Sequence, residues 1–310
     1  MLKTKTYSGE KARDNFEFFL MALPGIILFI MFNYMPLYGL LMAFKNFKPL
    51  KGIAGSDWVG FDNFKFFFTS QDAFRVTRNT LLYNGTFIIL GLIFPVILAL
   101  MFYYLKNRTS LKVYNTIVIL PKFLSAVLIA FIVYSLLNTQ YGVINNLIAA
   151  LGGNKVKWYS AVSAWPFILV IVHVWQTIGM DSVLYYATLM SMDESLFEAA
   201  KIDGASTIQI TWKICIPHLT TIMTIQGILA IGGIFGGDFG LFYQVPQDQG
   251  ILYPVTDIIP TYIFRGLQSG KNSDLSISAA VGLFQSFVGM ILVIITNAIV
   301  KKIEPENSLF

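Results

Sequence analysis

Polar side chains inside long apolar stretches must face a partner or a cavity, because an unsatisfied polar group in hydrocarbon costs free energy. In this chain His173, Gln176 and Thr177 stand at i, i+3 and i+4, so on a helix they share one face. Trp165 and Trp175 lie on the same stretch. Hydrogen-bonding groups for hydroxyls beside flat apolar rings suit a sugar; hydrogen bonds between helices are the competing use of the same groups. Gln226, Gln285 and Ser286 extend the set that could line a solute path. Asn297 reads as structural, and Lys122, next to Pro121, as a side chain near a span end that snorkels to the interface.

Catalysis has less to work with. The run Gly266-Leu-Gln-Ser-Gly270-Lys271-Asn272 is one residue short of a phosphate-binding P-loop and ends in Asn. His173 and His218 are too far apart for a helical H-E-x-x-H zinc site, and no Ser sits in a G-x-S-x-G context. Within the apolar stretches only Lys122 and His173 read as ionisable, on different helices. The expectation is a chain with no catalytic residue, no metal and no cofactor of its own.

The elements that position these groups follow from composition. Of 310 residues 55% are hydrophobic and 13% charged, about half the charge of a soluble domain, which excludes a water-facing globule and a disordered chain. A single cysteine, Cys215, excludes a disulfide framework. The net charge of +5 is too diffuse for nucleic acid and fits basic residues beside a membrane. Six stretches reach the roughly 20 apolar residues a spanning helix needs: 18–44, 79–105, about 114–138, 158–180, 214–237 and 275–300. None alternates with period two, so the chain reads as an all-α polytopic bundle and not a barrel. The first stretch is too long for a signal peptide and reads as a retained anchor. Lys106, Arg108 and Lys112 in a tight loop and the pair Lys301–Lys302 favour both termini in the cytoplasm. The organisation expected is a cytoplasmic segment 1–17, a first span 18–44, an extracytoplasmic loop 45–78, a core 79–300 and a cytoplasmic tail 301–310.

One connection, 181–217, does not look like a linker. Asp193 can cap a helix through Glu194, Leu196, Glu198, Ala199, Ala200 and Ile202. Gly204 can end it in a left-handed turn. Ser206 with Gln209 forms a capping box for a second helix, and Pro217 opens the next span. Such a hairpin could lie on a membrane surface or dock in a partner's groove. The pair Gly232-Gly233 and Gly236-Gly237 implies close backbone packing, with a neighbouring subunit as one candidate surface and a flexible gate as the alternative.

Residues 198–217, EAAKIDGASTIQITWKICIP, resemble the EAA motif of the permease subunits of ATP-binding-cassette importers, with Glu198, Ala199, Ala200, Gly204, Ile214 and Pro217 at the family spacing and Ile216 in place of the usual Leu. Asp203 and Ala205 around the glycine, WVGFDNF at 58–64 and the Asn79-Thr80 pair are similar to the carbohydrate, maltose-type branch; YYATLMSMDESLFEAA is similar to its subgroup for larger oligosaccharides and polysaccharide fragments. The resemblance implies a type I importer fold with six spans in a bacterial inner membrane. It implies a coupling loop in which Glu198, Ala199, Ala200, Asp203, Gly204 and Ala205 meet an ATPase, and a sugar pocket on the helix before that loop, where His173, Trp175, Gln176 and Thr177 stand. It also implies partners: a second permease, two ATPase subunits using ATP and Mg, and an extracytoplasmic solute-binding protein received by loops 45–78 and 238–274, for which a lid over the bundle is the alternative use. A permease for amino acids, peptides or phosphate, a membrane enzyme and a passive channel are the alternatives. A neutral polar pocket argues against an ionic solute.

Overall fold

The computed structural model describes residues 5–303. Residues 1–4, with Lys3 of the basic leader, and residues 304–310 of the tail lie outside the described residues.

The first long helix, α1 (Lys5–Phe29), passes through a π turn (Ile30–Tyr34) into a 3-10 helix (Met35–Phe44). Pro36 accounts for the change: it donates no hydrogen bond and its ring crowds the preceding turn, which a widened turn accommodates. A small antiparallel ladder then joins β1 (Lys45–Asn46) to β2 (Asp57–Trp58) around α2 (Gly52–Gly55). This ladder is the one departure from an all-α chain among the described residues. The aromatic run of the same loop forms α3 (Asp62–Thr69), with Phe67 buried. Ser70 ends that helix and caps α4 (Gln71–Tyr104), its Oγ accepting from Ala73 N at 3.2 Å.

The third apolar stretch is not one straight rod. α5 (Arg108–Ile119) gives way to a 3-10 turn (Leu120–Phe123), and α6 (Ala126–Leu137) leaves at 104°. Pro121 withholds a donor at the break and Ser125 starts a new helix, its Oγ accepting from Leu128 N at 3.3 Å. Lys122 stands within this 3-10 turn and not inside a continuous helix. It lies on the break, beside the middle of α8 (Trp165–Met190), where a Cβ on Gly179 would strike the backbone of Val118 and Ile119. Between them come α7 (Val143–Ala150) and two 3-10 turns.

After α8 a hairpin of α9 (Glu194–Ile202) and α10 (Thr207–Ile210) leads through a π turn (Thr211–Cys215) into α11 (Ile216–Gly232). The second arm is thus not a separate short helix, because the π turn lets the chain pass Pro217 without breaking. The chain closes with α12 (Phe239–Gln244), α13 (Tyr253–Thr256), α14 (Ile259–Gln268) and α15 (Asn272–Ile303). Among the described residues five helices are long and apolar enough to cross a membrane, six if the bent pair counts as one span.

The core is α4 packed along α8, with α11, α14 and the 3-10 helix Met35–Phe44 around α15. Two of the buried clusters lie on either side of the middle of α4, and a third, with Phe67, Ala73 and Val76, sits at its start. Tyr83, Phe87, Ile129, Trp165, Leu169 and Phe242 hold one half; Val96, Ala99, Tyr185, Leu189, Phe197 and Leu219 hold the other.

Candidate functional site

Midway along α4 and α8 the packing opens into a cavity of about 360 Å³. His173 and Thr177 face it from α8, Gln226 from α11, and Asn84, Asp181 and Tyr185 complete its polar wall. The His173 ring stacks on Phe87 with centroids 3.7 Å apart. Thr177 Oγ1 donates back to the His173 carbonyl at 3.0 Å, satisfying its own donor within the helix. His173 Nδ1 is buried and has no hydrogen-bond partner among the described residues. Asn84 Nδ2 donates to the carbonyls of Ile234 and Gly236 at 2.8 and 3.0 Å, pinning the end of α11.

The sequence-derived set is therefore only partly brought together. Gln176 and Trp175 do not line the cavity, and Trp175 is exposed. Gln285 and Ser286 lie elsewhere, in a shallow pocket with Phe239, Pro260 and Phe264. Asn84, Asp181 and Tyr185 were not expected. Asp181 escaped because its charge reads as the end of a span at Met180, whereas α8 continues to Met190. A carboxyl group facing a cavity can sit within a spanning helix, so the wall carries an ionisable acid.

Gly232 packs closely inside this chain. A Cβ on Gly232 would clash with Val293 of α15, and one on Gly289 would sit 2.8 Å from the Gly232 carbonyl.

The hairpin at the C-terminal end of α4 is built as its residues dictate. The Asp193 carboxylate accepts from Ser195 N at 2.9 Å, and that backbone bond holds the carboxyl below the usual aspartate range. Gly204 (φ +78°) carries a Schellman turn: its own N–H reaches the Lys201 carbonyl and Ala205 N–H reaches that of Ala200, at 3.0 and 2.9 Å. Ser206 and Gln209 cap each other, Ser206 N to Gln209 Oε1 at 2.7 Å and Gln209 N to Ser206 Oγ at 3.3 Å. Phe197 anchors the hairpin, with its ring 5.5 Å from Tyr103. Glu198, Ala199, Asp203 and Gly204 are exposed, and Ala200 and Ala205 half-buried. Ile202, Ile208 and Trp212 are more than 60% exposed, an apolar surface of the kind that marks a partner site.

At the other end of α4, Asp257 is buried between Arg75 and Arg265. Arg75 reaches it at 2.9 Å and also pairs with Asp72 at 2.8 Å; Arg265 pairs in turn with Asp248 at 2.8 Å. Burial disfavours the Arg265 charge, but Asp257 and Asp248 outweigh it and raise its pKa. The guanidinium lies 4.1 Å from the centre of the Tyr253 ring. Arg75 and Tyr103 are 28 residues apart on α4, or about 42 Å, so this charged bracket and the hairpin occupy opposite ends of the bundle.

The family described as binding-protein-dependent transport system inner membrane component matches residues 91–306. Protein LplB of Bacillus subtilis (strain 168) is 33% identical over 290 residues, covering 93% of this chain and 90% of that one. The polygalacturonan/rhamnogalacturonan transport system permease protein YteP of the same organism is 32% identical over 93% and 89%. The crystal structure of a bacterial ABC transporter involved in the import of the acidic polysaccharide alginate contains a chain 31% identical to this one. The two superpose with a TM-score of 0.86 over 96% of this chain and 99% of that one. The chain belongs to the family of inner-membrane components of binding-protein-dependent transport systems.

Proposed function

We propose that this chain is one of two permeases in an ATP-driven importer of oligosaccharides, with six spans and both termini in the cytoplasm. The observation that carries the reading is the pairing of a polar cavity at mid-bundle with an exposed, doubly capped hairpin at one end. ATP and Mg act on separate ATPase subunits; the hairpin seats in them through Glu198, Ala199, Ala200, Asp203, Gly204 and Ala205. A solute-binding protein delivers the sugar at the Asp257 end. His173, Thr177, Gln226, Asn84 and Asp181 line the path, and Trp175, Gln176, Gln285 and Ser286 lie on surfaces that a second permease can complete. Nucleotide closure changes the affinity of the ATPases for two states of the bundle, and the hairpin passes that bias to the cavity.

The test is reconstitution with the ATPases, the partner permease and the binding protein, followed by uptake of labelled oligosaccharide. Glu198→Lys combined with Gly204→Pro should abolish ATPase co-purification and uptake while the chain still inserts. ATPase retention in that double variant would remove the docking role. Uptake without nucleotide would remove the importer reading.

A further inference from the structure

Lys122 occupies a place that a membrane protein does not give a lysine without return. The break Leu120–Phe123 packs against α8, whose Gly179 meets Val118 and Ile119 just before the break; His173 and Asp181 of the same helix line the cavity, and Lys122 stands outside that lining. A lysine stem reaches about 6 Å and the half-thickness of the hydrocarbon is about 15 Å, so a lysine level with the centre of the bilayer does not reach the interface by snorkelling. The side chain is exposed on this chain. No carboxylate stands within 4 Å of its ammonium among the described residues. Its charge still acts on both Asp181 and His173, and Asp238 acts on His173 from α12's N-cap. An ammonium at mid-depth must face a watered path. A neutral sugar, bound through hydroxyls, has no need of it. A sugar acid does, since a charge-assisted hydrogen bond to a carboxylate is about twice as strong as a neutral one.

We propose that Lys122 holds the carboxylate of a uronate-bearing oligosaccharide as it crosses the middle of the bundle, with Asp181 as the counter-charge of the empty path. This rests on the reading of the chain as an oligosaccharide permease. Asp181 keeps the ammonium from being stranded between turnovers. It also competes with the substrate carboxylate, so the sugar is held briefly and released, as transport requires.

Cys215 is the only cysteine of the chain, which permits a charge-exchange test at position 122. The assembled complex carrying Cys215→Ser is compared with the same complex carrying Lys122→Cys as well. Uptake of labelled oligogalacturonate and alginate fragments is measured, with neutral maltodextrin beside them and ATPase turnover as the control for assembly. Acidic uptake should fall roughly tenfold or more, the scale of one hydrogen bond to a charged group, with ATPase turnover retained. An ethylammonium thiosulfonate should restore it and an ethylsulfonate thiosulfonate should not; Lys122→Arg should transport. Equal loss of uptake and ATPase turnover, or rescue by either reagent alike, would overturn the proposal in favour of a packing role. Undiminished acidic uptake in Lys122→Cys would overturn it as well. If the unaltered complex takes up maltodextrin but neither acidic fragment, the Lys122 proposal alone falls. If it takes up no oligosaccharide, the importer reading falls and the proposal with it.

Discussion

Replacing Gly179 by alanine places a methyl group where α5 already lies. The added Cβ would stand 2.8 Å from the Ile119 amide nitrogen, and closer still to the Val118 carbonyl. Non-bonded heavy atoms rest near ~3.5 Å, so α5 and α8 must part by roughly 0.7 Å at Ile119 and by more at Val118. Both obstacles are backbone, so no side chain can swing away. Overpacking costs about 1–3 kcal/mol, and a clash between two backbones belongs at the upper end, roughly a hundredfold in the folded population. Gly227→Ala is the matched control: its Cβ meets only Leu92 Cδ1 at 3.9 Å, and alanine in a helix interior gains up to about 1 kcal/mol over glycine. Thermal melting of the detergent-solubilised complex should show Gly179→Ala several degrees lower, at roughly 2–4 °C per kcal/mol, and Gly227→Ala unchanged or higher. Equal midpoints for the two variants would refute the close α5–α8 contact, and with it the depth assigned to Lys122.

Asp257→Ala leaves two guanidiniums facing each other without their shared carboxylate and should destabilise the Asp257 end by about 3 kcal/mol. Adding Arg75→Ala should recover part of that loss in the same melting assay. Gly204→Ala meets open space but an unfavourable φ, so it should cost roughly 1 kcal/mol, read as faster hydrogen exchange at Ala205 N–H, with Gly204→Asn milder. Asp193→Asn should keep the hairpin cap and Asp193→Ala lose it. Because the folded carboxyl titrates below its unfolded value, the cap contributes fully above about pH 3.9 and is lost as pH falls through the lowered folded value. Exchange at Ser195 N–H reports this directly.

What was legible in the sequence was whatever local chemistry decides. Ser206 with Gln209, Asp193 and Gly204 each act within four residues, and the structure places them as their types predict. Long apolar runs gave the spans. Misread features depend on what lies across the bundle. Asp181 looks like the end of a helix until the cavity it faces is known. Pro121 looks like a span terminus until α8 is seen beside it. The apolar run through Leu137 hides a 104° turn because hydropathy carries no direction. Asn84 gave no signal, since its role depends on carbonyls 150 and 152 residues away.

The uninterrupted passage from α10 through the π turn into α11 has a kinematic consequence. Thr207 and Gln226 ride on one stiff shaft, about 28 Å apart at 1.5 Å per residue. A tilt of about 5° about Thr207 therefore sweeps Gln226 sideways by roughly 2.4 Å, close to a water's diameter, over the helical rise that fixes the shaft's length. The α9 arm has no such stiffness, being jointed at Ser191–Asp193 and again at Gly204. The hairpin thus works as a crank with one rigid throw and one slack one, and displacement reaches the cavity through the α11 wall first.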